Sequence, residues 1–399
     1  MSMPNNLPRF RAVVTIGAGA LALACGPLLL AQQPQQFLST QPQTESLNSV
    51  RVNLAADSPV SLLSNEWDAS RVSERGGAQV LNLAGQLLLK NSSNRRVRAI
   101  TWLVRTRDNT PGGRASVTKA SLDVNAGETF PLKVDLRLLR PLVRGAAPEI
   151  EVSLDGVLFD DLSFYGPNQL DSRRVMVAFE MEAQRDRRHF LSMLQAKGPE
   201  GLRAECMNSI ARQTSTPRLD VQMARARTAV AGAGSDEKAM QFAFLRFPDT
   251  PVEAVAGMAG VLGAEARSPR VDVENRSARA VRYLEVGWLL RDARGREFVA
   301  GSVPSKTSLA PGQKARIVEQ GTLRFAESNG APVTIEALTG FVSQVEFADG
   351  SVWVPSRSAL SDARLEKALA PSAEEQRLTN LYSKKGLNAL IDELKRFAR

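Results

Sequence analysis

The residues that could carry out hydrolysis are few in this chain of 399 residues. Two neighbouring carboxylates, Asp160 and Asp161, could act as acid and base in a hydrolase or bind calcium through their oxygens. Aspartates are also common in the turns between strands, because their side chains bond the local backbone. We therefore keep a carboxylate hydrolase as the alternative function and predict no catalytic residue.

The sequence contains few residues for histidine or cysteine chemistry. The single histidine, His189, lies in a charged helical stretch, and no G-x-S-x-G motif accompanies it. Of the two cysteines, Cys25 lies in the apolar N-terminal segment and Cys206 shares a predicted helix face with Leu202 and Ile210, which is typical of a buried core cysteine. One histidine and one remaining thiol effectively exclude a zinc site with nitrogen and sulfur ligands. We predict no metal and no cofactor.

The signature N-x-S-x-R-x-V-R occurs twice, 184 residues apart. The two copies comprise Asn91, Ser93, Arg95, Val97 and Arg98, then Asn275, Ser277, Arg279, Val281 and Arg282. Trp102 follows the first copy as Trp288 follows the second. At the same offset, however, the acidic pair meets Gln344 and Val345, so the repeat does not preserve it. A period this long predicts two tandem domains, because the repeats of a solenoid are roughly 20–50 residues long.

Short strands separated by turn formers are predicted in both copies. In the first copy they cover residues 50–54, 80–89, 97–105 and 150–154. A helix is expected over 180–195 and another from about 200, with Gly198-Pro199 between them. The last helix begins with an S-x-x-E capping box at Ser372. We predict a mainly β fold with helices (α+β): two tandem immunoglobulin-like antiparallel β-sandwich units, each followed by α-helices.

Residues 271–316 carry a family resemblance. They contain V-x-V-x-N-x-S-x-R-x-V, then Trp288 to Asp292, a D-x-x-G turn ending at Gly295, and L-A-P-G-Q with Gly312. This resembles the bacterial FxLYD-type modules, which are small immunoglobulin-like β-sandwiches found outside the cytoplasm. The resemblance implies a fold and a compartment but no defined chemistry. It implies that asparagine and serine close a turn and that Trp288 points into the core. The first copy departs from the motif, with Thr106 in place of the aspartate.

The N-terminus has the pattern of a secretory signal peptide. Arg9 and Arg11 precede an uncharged apolar run over residues 12–31, and polar residues follow. We predict cleavage after Ala31. The run is also just long enough to span a bilayer uncleaved, and Ala22 to Cys25 is a loose lipid-attachment pattern. All three outcomes place the body of the protein outside the cytoplasm, in the periplasm or beyond, with membrane contact only through this segment.

These patterns predict the domain boundaries. Residues 1–31 are assigned to the signal peptide and 32–46 to a disordered leader rich in Gln, Pro, Ser and Thr. Residues 47–213 form the predicted first sandwich with its helices, 214–238 the linker, and 239–399 the second sandwich with the C-terminal helices.

The net charge of +9 falls to +7 when the signal segment is removed. Weak, salt-sensitive attraction to anionic polymers follows. Nucleic-acid binding is not expected, because basic residues are dispersed and aromatic residues make up only 6% of the chain. We predict an exported, non-enzymatic binding or scaffold protein of the bacterial envelope, with an unidentified protein or envelope polymer as its partner. The alternatives are the hydrolase and, third, a polyanion-binding surface protein.

Overall fold

The computed structural model describes residues 45–46, 50–67, 70–75, 77–107, 113–141, 149–215, 222–226, 237–319, 321–327, 330–369 and 371–397. The predicted signal peptide and nearly all of the predicted leader lie outside these ranges. The chain is mainly β with a few helices, as predicted. It divides into two compact units between Met176 and Val177, which we call the N-terminal and C-terminal units.

The N-terminal unit contains two antiparallel-rich sheets. Its strands are β1 (Glu45–Ser46), β2 (Val50–Asn53), β3 (Val60–Glu66), β4 (Arg71–Arg75), β5 (Ala78–Asn91), β6 (Val97–Thr106), β7 (Arg114–Lys119), β8 (Thr129–Pro141), β9 (Ile150–Phe159) and β10 (Phe164–Tyr165). One sheet has the order β1-β4-β5-β3, with β8 also paired to β5. The other has the order β10-β9-β6-β7, with β2 parallel to β9. The two sheets share one apolar core.

Alternation along the strands explains this core. Every second residue of β8 is buried, from Phe130 through Leu138, while the residues between them are exposed or half-buried. Successive side chains of a strand point to opposite faces, so β8 has one buried face and one wet face. β6 is buried along almost its whole length and contributes Trp102, which is fully buried.

The C-terminal unit also contains two sheets that share a core. Its strands are β11 (Gln222–Ala226), β12 (Lys238–Gln241), β13 (Ala243–Phe244), β14 (Val252–Leu262), β15 (Glu265–Asn275), β16 (Val281–Asp292), β17 (Glu297–Leu309), β18 (Lys314–Val318), β19 (Thr322–Ala326), β20 (Ile335–Phe347) and β21 (Val352–Trp353). One sheet has the order β11-β19-β15-β14-β12, with β18 on β15. The other has the order β13-β20-β16-β17, with β21 on β20.

The described part of the chain also contains four helices: α1 (Ser172–Ser215), α2 (Arg357–Leu360), α3 (Ala363–Ala368) and α4 (Ala373–Phe397). Both long helices are interrupted by a glycine with positive φ, Gly198 (φ 68) in α1 and Gly386 (φ 83) in α4. Only glycine adopts this conformation without a steric penalty. Pro199 follows the first break, where its fixed φ suits the first turn of a new helical segment.

The sequence assigned residues 47–213 to the first sandwich unit with its helices, and that division stays a prediction. In the structure, most of α1 groups with the C-terminal unit. The reason is that buried apolar residues of α1 pack in one cluster with those of α4. Within the predicted linker 214–238, residues Gln222–Ala226 form β11, which pairs with β19. Residues 216–221 and 227–236 of that linker lie outside the described residues.

Only one of the two hydrogen bonds of the predicted capping box at Ser372 forms. The Ser372 hydroxyl accepts a hydrogen bond from the Glu375 amide at 3.1 Å. The Glu375 carboxylate is bound instead by Arg357, Arg212 and Ser209. Two guanidinium groups and a hydroxyl compete better for a buried carboxylate than one backbone amide does.

Candidate functional site

The repeated signature forms the same turn in both units. Asn91 and Asn275 are fully buried. The Asn91 side-chain amide donates to the carbonyls of residues 95, 124 and 125 at 2.7, 3.1 and 3.1 Å. The Asn275 amide donates to those of residues 279, 309 and 310 at 2.8, 3.0 and 3.1 Å. In each copy the asparagine oxygen accepts from the serine two positions on, Ser93 or Ser277, at 2.7 Å. The hydrogen-bonding groups of the two asparagines therefore hold neighbouring strands and turns together.

The other motif residues also have structural surroundings. Val97, Val281, Trp102 and Trp288 are all buried, and neither indole N–H has a hydrogen-bond partner in the described part of the chain. Asp292 accepts from the amides of Arg294 and Arg296 at 3.0 and 2.9 Å, which closes the turn containing Gly295 (φ 75). Gly312 (φ 73) occupies the turn after β17. None of these residues lines the cavity described below.

We expect Asn275→Ala to lower the free energy of unfolding by about 2 kcal/mol, because buried carbonyls lose their donor. Asn91→Ala should cost a similar amount, since its bonds are the same. Chemical denaturation of the full chain, followed by circular dichroism, measures both. Ser277→Ala serves as the control and should cost less, since the Asn275 amide bonds survive. Equal costs for Asn275→Ala and Ser277→Ala would contradict this interpretation.

The acidic pair considered for hydrolysis lies in an exposed turn. The Asp161 carboxylate accepts from the Ser163 amide at 2.9 Å and from its hydroxyl, and Arg95 lies 3.7 Å away. The Ser163 hydrogen bonds, helped by Arg95, lower the pKa of the Asp161 carboxyl. The same turn recurs at Asp349, whose carboxylate accepts from the Ser351 amide at 2.9 Å.

This turn corrects the position that we matched to the acidic pair. The equivalents of Asp160 and Asp161 are Ala348 and Asp349, because the amides of Asp160 and Ala348 donate to the carbonyls of Arg96 and Ala280 respectively. Gln344 and Val345 lie earlier, within β20. In both turns, only the aspartate at the second position, Asp161 or Asp349, accepts the hydrogen bond that closes the turn. The adjacent pair of acids is therefore not repeated.

The Cys206 thiol is buried, and the His189 ring lies beside a carboxylate. Cys206 is fully buried, and burial raises the pKa of its thiol to about 12, an effect to which the carboxylates of Glu205 and Glu375 add. A thiol with this pKa stays protonated and unreactive at neutral pH. The His189 ring nitrogen Nε2 lies 3.1 Å from a carboxylate oxygen of Glu205.

Sequence reasoning missed a buried group of charged side chains around α1 and α4, which we call the charge cluster. Its members are Arg185, Asp186, Glu205, Arg212, Arg357 and Glu375. Glu375 is at its centre, 3% exposed, with Arg212 at 2.7 Å, Arg357 at 3.0 Å and the Ser209 hydroxyl at 2.6 Å. Asp186 is fully buried and forms a bidentate pair with Arg185. Burial at this density is tolerated because each charge has a partner.

The charge cluster should make folding of the C-terminal unit sensitive to acid. Burial alone would raise the pKa of the Glu375 carboxyl, but Arg357, Ser209 and Arg212 outweigh it and lower the pKa to about 2. A pKa below the unfolded value contributes stability above about pH 4.5, which is lost as the pH falls towards 2. We expect the loss to be on the order of 3 kcal/mol. Glu375→Gln should be less stable at pH 7 but show a flatter acid limb; an unchanged slope between pH 5 and 3 would contradict the assignment.

The helical segments on either side of each glycine break match at an offset of 188, not 184. The fully or nearly fully buried pairs are Phe190 with Leu378, Leu202 with Leu390, and Cys206 with Leu394. The same offset relates the ion pair His189–Glu205 (3.1 Å) to Arg377–Glu393 (2.6 Å). The sequence signal was the glycine break itself, together with a pair of charged residues 16 positions apart.

A cavity of about 180 Å³ adjoins the charge cluster. It lies between α1, α4, the segments 355–369 and 371–372 and strand β20, and we call it the helix–sheet cavity. Its lining includes apolar groups, such as Phe341, Leu360 and Leu369, and hydroxyl groups of Ser343 and Ser361. The charged lining residues are Glu182, Arg185, Arg212, Arg357, Glu366 and Glu375.

Glu182 differs from the other acids of this region. Across the described ranges it makes no side-chain hydrogen bond and no ion pair within 4 Å, although it is half-buried at the cavity wall. Removal from water raises the pKa of its carboxyl to about 7; Arg185 opposes this shift, and the nearby carboxylates of Asp186 and Glu285 add to it. A carboxyl group with such a pKa changes its charge near neutrality.

The described residues contain no group of three or more histidine, cysteine, aspartate or glutamate side chains that could hold a metal ion. No helix among them is long and apolar enough to cross a membrane.

Comparison with known proteins adds little. No protein family and no curated protein matches the chain. Among solved structures, pT26-6p is 11% identical, with 83% of this chain and 73% of that chain covered and a TM-score of 0.17. A β-glucosidase from Kluyveromyces marxianus is 9% identical (68% and 45% covered, TM-score 0.15), and red sea bream transglutaminase is 10% identical (71% and 31% covered, TM-score 0.12). Likenesses this weak support no argument about fold or function.

Proposed function

We propose that this chain is an exported, non-enzymatic binding protein of the bacterial cell envelope that recognises its ligand through the C-terminal unit. The N-terminal pattern of Arg9, Arg11 and the apolar run to Ala31 supports export. The partner would be a protein or an envelope polymer. The helix–sheet cavity, with an unpaired carboxyl at its wall, is the observation that carries the binding assignment.

We propose further that the chain carries two immunoglobulin-like sandwich units of FxLYD type, produced by duplication. The matched asparagine turns support this. So does the stacking of Arg95 over Phe159 at 3.7 Å and of Arg279 over Phe347 at 3.8 Å. A repeated structural framework with no repeated acidic pair favours a binding role over a shared catalytic one.

An affinity experiment tests the binding assignment against the hydrolase alternative. The chain from residue 32 is immobilised and incubated with envelope extract, beside the double variant Asp160→Asn/Asp161→Asn. We expect both proteins to retain the same component, unmodified, because the Asp161 turn lies in the N-terminal unit and not in the helix–sheet cavity. Conversion of the component by the unaltered chain alone would contradict the proposal.

Salt dependence separates the polyanion alternative. A surface that binds polyanions through dispersed positive charge should release them as ionic strength rises from 0.05 to about 0.5 M, because exposed charges are screened. Recognition in a half-buried cavity should lose much less. Complete elution of the retained component by salt would favour the polyanion surface.

A further inference from the structure

We propose that the helix–sheet cavity binds a protonated amine or guanidinium group on a short aliphatic stem, with the Glu182 carboxylate as its ionic partner. This inference deepens the proposed binding function and rests on it. The class of ligand includes a lysine or arginine side chain of a partner protein.

The size of the cavity limits the ligand to a side-chain-sized group. The cavity has a volume of about 180 Å³. Pockets for drug-sized molecules measure roughly 300–1,000 Å³, so this cavity is too small for an entire ligand of that kind. A cationic head with three or four methylene groups fits the available space.

The arginines of the cavity are already committed to other groups. Arg185 forms two hydrogen bonds with Asp186, at 2.9 and 3.2 Å, and a third with the Pro355 carbonyl at 3.2 Å. Arg357 and Arg212 both donate to the buried Glu375. An anionic ligand would have to break these pairs and leave a buried carboxylate uncompensated, which costs several kcal/mol.

The acids of the cavity offer the opposite situation. Glu182 has no partner across the described ranges, and Glu366 has only Arg212, 3.7 Å away, with 52% of its own side chain exposed. The charged groups that act on the Glu182 carboxyl are Arg185, Asp186 and Glu285. Asp186 is already paired with Arg185, and Glu285 accepts from Tyr283 at 2.9 Å and from Ser302. A cation beside Glu182 would therefore gain an ion pair without breaking one.

The apolar lining suits the stem of such a ligand. Phe341 is buried and contributes to a small apolar cluster, against which Leu360 and Leu369 also pack. Methylene groups of a lysine or arginine lie favourably along surfaces of this kind while the charged head reaches a polar group.

Isothermal titration calorimetry of the chain from residue 32 tests the proposal with four probes of one shape: butylguanidinium, butylammonium, butanol and butyrate. At pH 8 we expect one site per chain for the two cations, with butanol and butyrate at least tenfold weaker. Affinity for the cations should fall at pH 6, because the Glu182 carboxyl has a pKa of about 7. Equal or tighter binding of butyrate would overturn the proposal, and so would the absence of saturable binding by either cation.

Two substitutions test whether Glu182 is the ionic partner of the bound cation. Glu182→Gln should weaken cation binding at least tenfold while leaving the thermal unfolding temperature equal or higher, since a half-buried carboxyl is removed. Glu336→Gln, which alters an exposed glutamate outside the cavity lining, should bind as the unaltered chain does. Cation affinity unchanged by Glu182→Gln would overturn the assignment. If Glu182→Gln proved unstable, Glu182→Asp provides the same comparison, with an intermediate loss expected.

The two proposals fail separately. Loss of all cation binding by a chain that still retains an envelope component would overturn this inference and leave the proposed function standing. A chain that binds butylguanidinium but retains nothing from the envelope would contradict the proposed function alone.

Discussion

Replacing Glu375 with alanine is expected to lower the free energy of unfolding of the C-terminal unit by about 3–5 kcal/mol, because two arginines lose the carboxylate that pairs with them most closely. Glu375 receives hydrogen bonds from Arg357, Arg212 and Ser209. Without this carboxylate, Arg212 and Arg357 keep longer ion pairs to Glu205, Glu366 and Asp186, at 3.5–3.7 Å. Differential scanning calorimetry of the full chain measures the loss.

The matched control is Glu366→Ala. This glutamate pairs with Arg212 as well, but its side chain is 52% exposed and the ion pair is 3.7 Å long. Exposed pairs contribute about 0–1 kcal/mol, so the control should unfold close to the unaltered chain. If the two variants were equally stable, the charge cluster would not hold the helices as described.

Replacing Trp288 with alanine should cost the C-terminal unit about 3–5 kcal/mol, which is typical of a tryptophan removed from a packed core. The Trp288 ring is 2% exposed and packs edge-on against Phe242, with ring centroids 4.8 Å apart. Trp102→Ala should destabilise the N-terminal unit by a similar amount, because its ring is fully buried as well. In calorimetry, each substitution should lower the transition of its own unit.

Trp288→Phe is the informative control. Phenylalanine keeps most of the apolar volume and removes an indole N–H that has no partner across the described residues. Relief of that unsatisfied donor offsets part of the lost packing. We therefore expect a cost well below that of alanine. A phenylalanine variant as unstable as the alanine variant would contradict this expectation, because the retained apolar volume would then have recovered no stability.

The strands and turns could be predicted from the sequence because their signals are local. The predicted strands near 50, 80, 97 and 150 correspond to β2, β5, β6 and β9. The two asparagines are followed by a serine two positions on, and that spacing is sufficient for a side chain to close a turn on its own backbone. Gly198-Pro199 likewise marked the break in α1.

The charge cluster and the cavity could not be predicted, because their members are far apart in the chain. Ser209 and Glu375 are separated by 166 positions, and Ser372 and Asp186 by 186. No periodicity records such pairs. The match between the helices was obscured because the equivalent residues differ in chemistry: His189 stands where Arg377 does, and Cys206 where Leu394 does. Equivalent positions in the two pairs of helical segments are both buried, or both form an ion pair, although their residue types differ.

The packing partner of α1 is likewise determined by contacts between residues far apart in the chain. A helix that follows a sheet in sequence can pack on any apolar surface that its linker allows it to reach. Here Phe190 and Leu202 complete a cluster with Leu378 and Leu390, which lie near the C-terminus. The sequence gives no local signal that α1 packs against α4; the contact is seen only in the structure.

Export beyond the cytoplasm is the claim on which the proposed function depends most. It is tested most directly by intact-mass spectrometry of the full chain, expressed with a C-terminal tag in a Gram-negative host and recovered from separate cell fractions. We expect a chain that begins at Gln32 in the extracytoplasmic fraction. A chain that keeps residues 1–31 and is found in the cytoplasmic fraction would contradict the account.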